Sequence, residues 1–97
     1  MGQPAARITD MHTCPITTLF SAHVGGPIVS GMVTVLTGGL PQARITDKAI
    51  CAGGGLDVIV KASSTVFVGG LPAARIGDTT AHGGVIITGL PTVLIGG

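Results

Sequence analysis

One nine-residue phrase occurs three times in this chain, and that repetition limits the possible architecture more than any other feature. Gly2-Gln3-Pro4-Ala5-Ala6-Arg7-Ile8-Thr9-Asp10 returns as Gly39-Leu40-Pro41-Gln42-Ala43-Arg44-Ile45-Thr46-Asp47, and again as Gly70-Leu71-Pro72-Ala73-Ala74-Arg75-Ile76-Gly77-Asp78. A second phrase runs between them: Thr34-Val35-Leu36-Thr37-Gly38-Gly39 matches Thr65-Val66-Phe67-Val68-Gly69-Gly70 and Thr92-Val93-Leu94-Ile95-Gly96-Gly97. Units this short bury their apolar surface against one another rather than alone. They fill the 97 residues, so the expectation is one domain over 1–97 with no fused toxin.

The repeats are β in character. Thr-Val-x-x is short and β-branched, and it ends in Gly-Gly, the pattern of a strand running into a turn. Proline follows within two residues of the Gly, fixing φ and removing a ladder donor, which puts it at a strand edge or corner. Further strand candidates are Pro27–Val29, Asp57–Lys61 and Val85–Thr88. The expected fold is a small, all-β single domain with pseudo-threefold symmetry.

Composition removes several alternatives. With 17 Gly and no Glu, the chain lacks the material for long solvated helices or a coiled coil. A formal net charge of +1 cannot neutralise a row of phosphates, so no nucleic-acid partner is expected. Disorder is excluded by 45% hydrophobic residues against 9% charged. Residues 11–43 carry no charge, but a spanning helix needs about 20 mostly apolar residues in one run. The longest candidate, Val24 to Leu36, is shorter and is broken by Gly25, Gly26, Pro27, Ser30 and Gly31. No stable membrane insertion is expected. Met1-Gly2-Gln3-Pro4 does not resemble a signal peptide, so the chain is expected to be made and to stay in the cytoplasm until it is used.

Six of the nine charged residues lie in the repeated phrase, as Arg7 and Asp10, Arg44 and Asp47, Arg75 and Asp78. Charge so scarce, placed at one spacing three times, points to geometry. Each Asp is expected to close a turn through backbone N–H groups while each Arg braces a neighbouring segment. The plainer alternative is a solvated face with ion pairs worth about 0–1 kcal/mol each.

All five His and Cys residues follow these phrases: His12, Cys14, His23, Cys51 and His82. Threefold folding would bring the junctions to one end, and imidazole with thiolate is a donor set that zinc accepts. Metal binding could supply folding energy that a small core lacks. A Cys14–Cys51 disulfide in an oxidising compartment is the competing use of the sulfurs.

Pro4-Ala5-Ala6-Arg7, Pro41-Gln42-Ala43-Arg44 and Pro72-Ala73-Ala74-Arg75 resemble the repeated motif of the PAAR-repeat proteins. Asp10-x-His12-x-Cys14-Pro15, His23-x-Gly25-Gly26-Pro27-Ile28 and Asp78-x-x-x-His82-Gly83-Gly84 are similar to that family's linking segments. The resemblance implies a conical β-domain, zinc-stapled at its apex, that caps the trimeric VgrG β-helix of a bacterial type VI secretion system. It implies one chain per trimer, separate effector proteins as further partners, a role in membrane puncturing and effector delivery, and translocation with the spike. Gln42, where the other copies have Ala, is expected to be a tolerated surface change.

The family's three His and one Cys imply His12, His23 and His82 with one cysteine as zinc ligands. Cys14 and Cys51 both lie four residues after their Asp, and Cys51 is preferred because it lets the second copy contribute a ligand. The alternative function is a zinc-dependent hydrolase, which needs an open coordination position and a general base, often Glu, that this chain lacks. No catalytic residues are assigned. On this reading Cys51→Ser loses the metal by elemental analysis while Cys14→Ser keeps it, and the opposite result reverses the choice.

Overall fold

Closely spaced Gly-Gly and Pro breaks leave room only for short strands, and short strands are what form. In the computed structural model, which describes residues 2–13, 25–51 and 55–96, the regular elements are all β. They are β1 (Gln3–Ala5), β2 (Met11–His12), β3 (Gly26–Pro27), β4 (Met32–Thr37), β5 (Leu40–Gln42), β6 (Lys48–Cys51), β7 (Gly55–Val58), β8 (Phe67–Val68), β9 (Leu71–Pro72) and β10 (Leu90–Ile95). They pair antiparallel as β1–β10, β2–β3, β4–β5, β6–β7 and β8–β9. The result is one small domain without helices among the described residues, with principal extents of 39 × 25 × 22 Å.

The Gly-Gly pairs make the hairpins. Gly38 and Gly39 have φ of 59° and 87°, joining β4 to β5, and Gly69 and Gly70 have φ of 57° and 84°, joining β8 to β9. Two consecutive left-handed residues match the twist of the flanking strands, and glycine adopts them at no steric cost. β10 meets β1 in the same sense, with Gln3 opposite Ile95 and Pro4 opposite Leu94.

The copies of the first phrase are joined head to tail by backbone bonds. Ala43 N–H donates to Ala6 O at 3.0 Å, Ala74 N–H to Ala43 O at 2.9 Å, and Ala6 N–H to Ala74 O at 3.0 Å. Ile8 donates to Pro41 O at 3.0 Å, Ile45 to Pro72 O at 2.9 Å and Ile76 to Pro4 O at 2.9 Å. Each copy thus bonds to the next, and the last to the first. The three central alanines are fully buried and cluster with Ile28, Ile59, Ile86 and Ala49. Alanine suits this place because three backbones close to hydrogen-bonding distance leave little volume for side chains.

Each Asp folds back on its own phrase. Its Oδ2 accepts the amide of the Arg three residues earlier at 2.7 Å, in Asp10–Arg7, Asp47–Arg44 and Asp78–Arg75 alike. The Arg side chains differ more. Arg75 is paired to Asp78 at 2.9 Å, almost fully buried, and donates to Gly96 O at 3.1 Å. The Asp78 hydrogen bond holds its guanidinium above the ordinary arginine value despite the opposing effect of burial.

Three expectations change. Gln42 is not at the surface: it is 1% exposed, its amide donates to Ala43 O at 2.9 Å and Ala74 O at 3.0 Å, and it accepts from the Thr37 hydroxyl at 2.7 Å. Its side chain turns onto the central carbonyls because they retain a free lone pair for a second donor. The strand candidates at Pro27–Val29, Asp57–Lys61 and Val85–Thr88 shrink to β3, β7 and single bridges. Ile28 and Ile59, just past β3 and β7, bridge Ala49 and Thr80, and Ile86 bridges His12. Thr65-Val66 stays outside β8 because Ser63 Oγ takes both amides, at 3.2 and 3.0 Å.

One turn position carries strain. Thr9 and Thr46 have φ of 81° and 73°, unusual for a β-branched residue, while the third copy has Gly77 at 91°. The conformation is held by the amides of these residues, which donate to Ile28 O, Ile59 O and Ile86 O at 2.9–3.0 Å. A left-handed L-residue costs roughly 1–2 kcal/mol, and glycine's extra chain entropy offsets roughly 0.5–1 kcal/mol of the relief. Thr46→Gly is therefore expected to raise the melting temperature by a few degrees and Gly77→Thr to lower it, as read by thermal denaturation. A Cβ at Gly77 meets nothing nearer than Gln3 Nε2 at 3.7 Å, so backbone conformation alone is tested.

Candidate functional site

The segments after Asp10, Asp47 and Asp78 carry the polar chemistry. Two residues beyond each Asp lie His12, Ala49 and Thr80, 1%, 0% and 3% exposed. His12 ends β2, opposite Gly26 of β3, and the residue after each Asp keeps the chain extended long enough to turn it inward. Its Nδ1 faces Gly26 O at 2.8 Å and its Nε2 faces Asp57 Oδ2 at 3.1 Å. The side chains of His12 and Asp57 are both fully buried.

Asp57 is the residue that sequence reasoning passed over. It sits on β7 opposite Ala49 of β6, and it gathers donors from across the site. Val58 N–H reaches Oδ1 at 2.8 Å and His82 N–H reaches it at 3.0 Å. Burial pushes the Asp57 carboxyl up, but hydrogen bonds from the Thr80 hydroxyl and the Val58 and His82 amides, with the nearby His82 ring, bring it below its ordinary value. One signal was available: Asp57 is the single Asp outside the repeated phrase.

The expected metal ligands divide as follows. His12 and His82 converge on Asp57, with His82 Nδ1 at 3.9 Å from Oδ2 and its side chain 23% exposed. Cys51, at the end of β6, is buried and its sulfur is in a disulfide. His23 lies outside the described residues, as does Cys14. Among the described residues no group of three or more His, Cys, Asp or Glu is arranged to hold a metal. As they stand, His12 and Cys51 do not fit one, because both ring nitrogens of the first face oxygens and the sulfur of the second is bonded to sulfur. No step below is routed through a metal.

A second feature lies on the strands. Leu36 of β4, Phe67 of β8 and Leu94 of β10 hold the same place in the three copies of the second phrase, and they are 60%, 59% and 60% exposed. Large apolar side chains are thus open at matching positions of all three copies.

The depressed Asp57 value has a pH consequence. A carboxylate held below its unfolded-state value stabilises the fold above that value and loses the contribution as pH falls through the lowered one. Relative to Asp57→Asn, the wild type is expected to melt at a higher temperature near pH 7, with the gap narrowing as pH drops below 3.8. Paired thermal denaturation from neutral pH down to about pH 2 measures it.

Among curated proteins, no sequence matches the chain. A family model of the PAAR motif matches residues 20–88, most of its length, and takes in the second and third copies of the first phrase. The chain belongs to the PAAR-motif family, a structural rather than enzymatic family associated with the spike tip of type VI secretion systems.

Proposed function

We propose that the chain is a non-enzymatic spike-tip protein, three pseudo-threefold β repeats tapering to a point, that caps a trimeric VgrG β-helix with one chain per trimer. The observation that carries this reading is the matched exposure of Leu36, Phe67 and Leu94, close to 60% in each copy. Three equivalent apolar contacts on one chain suit a partner whose end repeats three times. The cyclic bonding of Ala6, Ala43 and Ala74 supports a threefold arrangement of the copies. The elongated shape, 39 Å against 25 and 22 Å, supports a taper.

The work on this reading is mechanical: the chain covers exposed strand edges of the trimer and presents a narrow end as the spike is driven through a membrane. It waits in the cytoplasm until assembly and then travels with the spike, and any delivered activity comes from separate effectors.

Docking is tested by mixing the purified protein with a trimeric VgrG-type β-helix and weighing the complex. The expected result is one chain per trimer. Burying one such side chain contributes roughly 1.5–3 kcal/mol, so Leu36→Asp, Phe67→Asp or Leu94→Asp should each weaken binding about tenfold or more. All three positions are exposed, so the variants are expected to fold, which thermal denaturation checks. Failure of the parent to bind any such spike would overturn the proposal.

A further inference from the structure

The buried imidazole of His12 has a role that neither the docking reading nor the family membership assigns. His12, Ala49 and Thr80 occupy matching places two residues after their Asp, and their backbones bridge to Ile86, Ile28 and Ile59. With Ala at one place and a small hydroxyl at another, His12 is the one large polar side chain of the three. A buried imidazole needs partners for both nitrogens. Nδ1 lies 2.8 Å from Gly26 O and Nε2 lies 3.1 Å from Asp57 Oδ2; both oxygens accept, so the ring serves each contact as a donor.

Asp57 in turn gathers contacts from across the site. An ionised carboxylate offers about four lone-pair sites. Here the Val58 and His82 amides donate to Oδ1 at 2.8 and 3.0 Å, and His12 Nε2 lies 3.1 Å from Oδ2. These donors come from the segments following all three copies of the first phrase.

We infer that His12 is a positioning residue rather than a metal ligand, held by Asp57 so that the segments following Asp10, Asp47 and Asp78 are locked to one another. Loss of the Asp57 acceptor releases the imidazole from the segments that carry His82 and Thr80. This role does not depend on what the protein docks to.

Long-range proton–nitrogen NMR of the whole, isotope-labelled protein tests it under reducing conditions. A metal-bound nitrogen carries no proton, whereas a nitrogen donating to Asp57 carries one. The expected spectrum shows a His12 Nε2 proton protected from exchange, unchanged when zinc is added or chelator removes it. In Asp57→Asn the His12 Nε2 signal shifts and the protection is lost. An unprotonated His12 Nε2, or one that moves on zinc addition, overturns the inference, as does an Asp57→Asn variant whose His12 signals match the parent's. Should Asp57→Asn fail to fold, the zinc arm on the unaltered protein decides alone.

Discussion

Everything else in this domain is arranged around three backbone hydrogen bonds. The amides of Ala6, Ala43 and Ala74 each reach the carbonyl of another central alanine at 2.9–3.0 Å, so the three segments close on themselves. A closed cycle has no free end in its hydrogen bonding, which matters for a chain whose strands are only two to six residues long. Individual pairs of that length are marginal in water. Bound into a cycle, each pair is held by its neighbours, and the loss of any one bond opens two segments at once. The cost of this closeness is borne by composition: alanine at the centre and glycine at the turns.

Much of this was legible because it depends on residue types with one strong local preference. Gly-Gly before Pro is a turn in almost any context, and Gly38-Gly39 and Gly69-Gly70 behave accordingly. The spacing of Arg7 and Asp10 was readable as a turn closed on backbone, which the 2.7 Å bonds from the Arg amides show it to be. Strand lengths were harder, since Val and Ile runs such as Val58-Ile59-Val60 leave their ladder when an isoleucine crosses to another segment. Gln42 misled for a related reason. A polar residue replacing alanine is a surface change unless unshared lone pairs lie within reach, and no local pattern announces the Ala74 carbonyl, which belongs to a segment distant in sequence.

The histidines mark a firmer boundary of what residue type conveys. Imidazole is chosen both for binding metals and for bridging buried acceptors, and a His two residues after an Asp is compatible with either. What bears on His12 is that both of its ring nitrogens face oxygens, Gly26 O and Asp57 Oδ2. Asp57 lies 45 residues from His12, so only the folded arrangement brings them to 3.1 Å.

The departures from threefold equivalence are themselves informative. Where the copies must bond to each other, at the central alanines and the Asp turns, the geometry repeats to within about a tenth of an ångström. Where the interior must be filled, the copies diverge: Gln42 against Ala5 and Ala73, His12 against Ala49 and Thr80, Asp57 against Gly26 and Gly84. Three identical side chains meeting at one centre would place three like groups in contact, and three carboxylates or three imidazoles there would repel or crowd. A single polypeptide escapes that restriction, because each copy can contribute a different partner to one hydrogen-bonded set. At the exposed strand positions the opposite pressure acts, and Leu36, Phe67 and Leu94 stay alike in exposure and apolar character. Apolar character is kept where a symmetric partner is proposed to dock, and abandoned where the chain must satisfy its own buried polar groups.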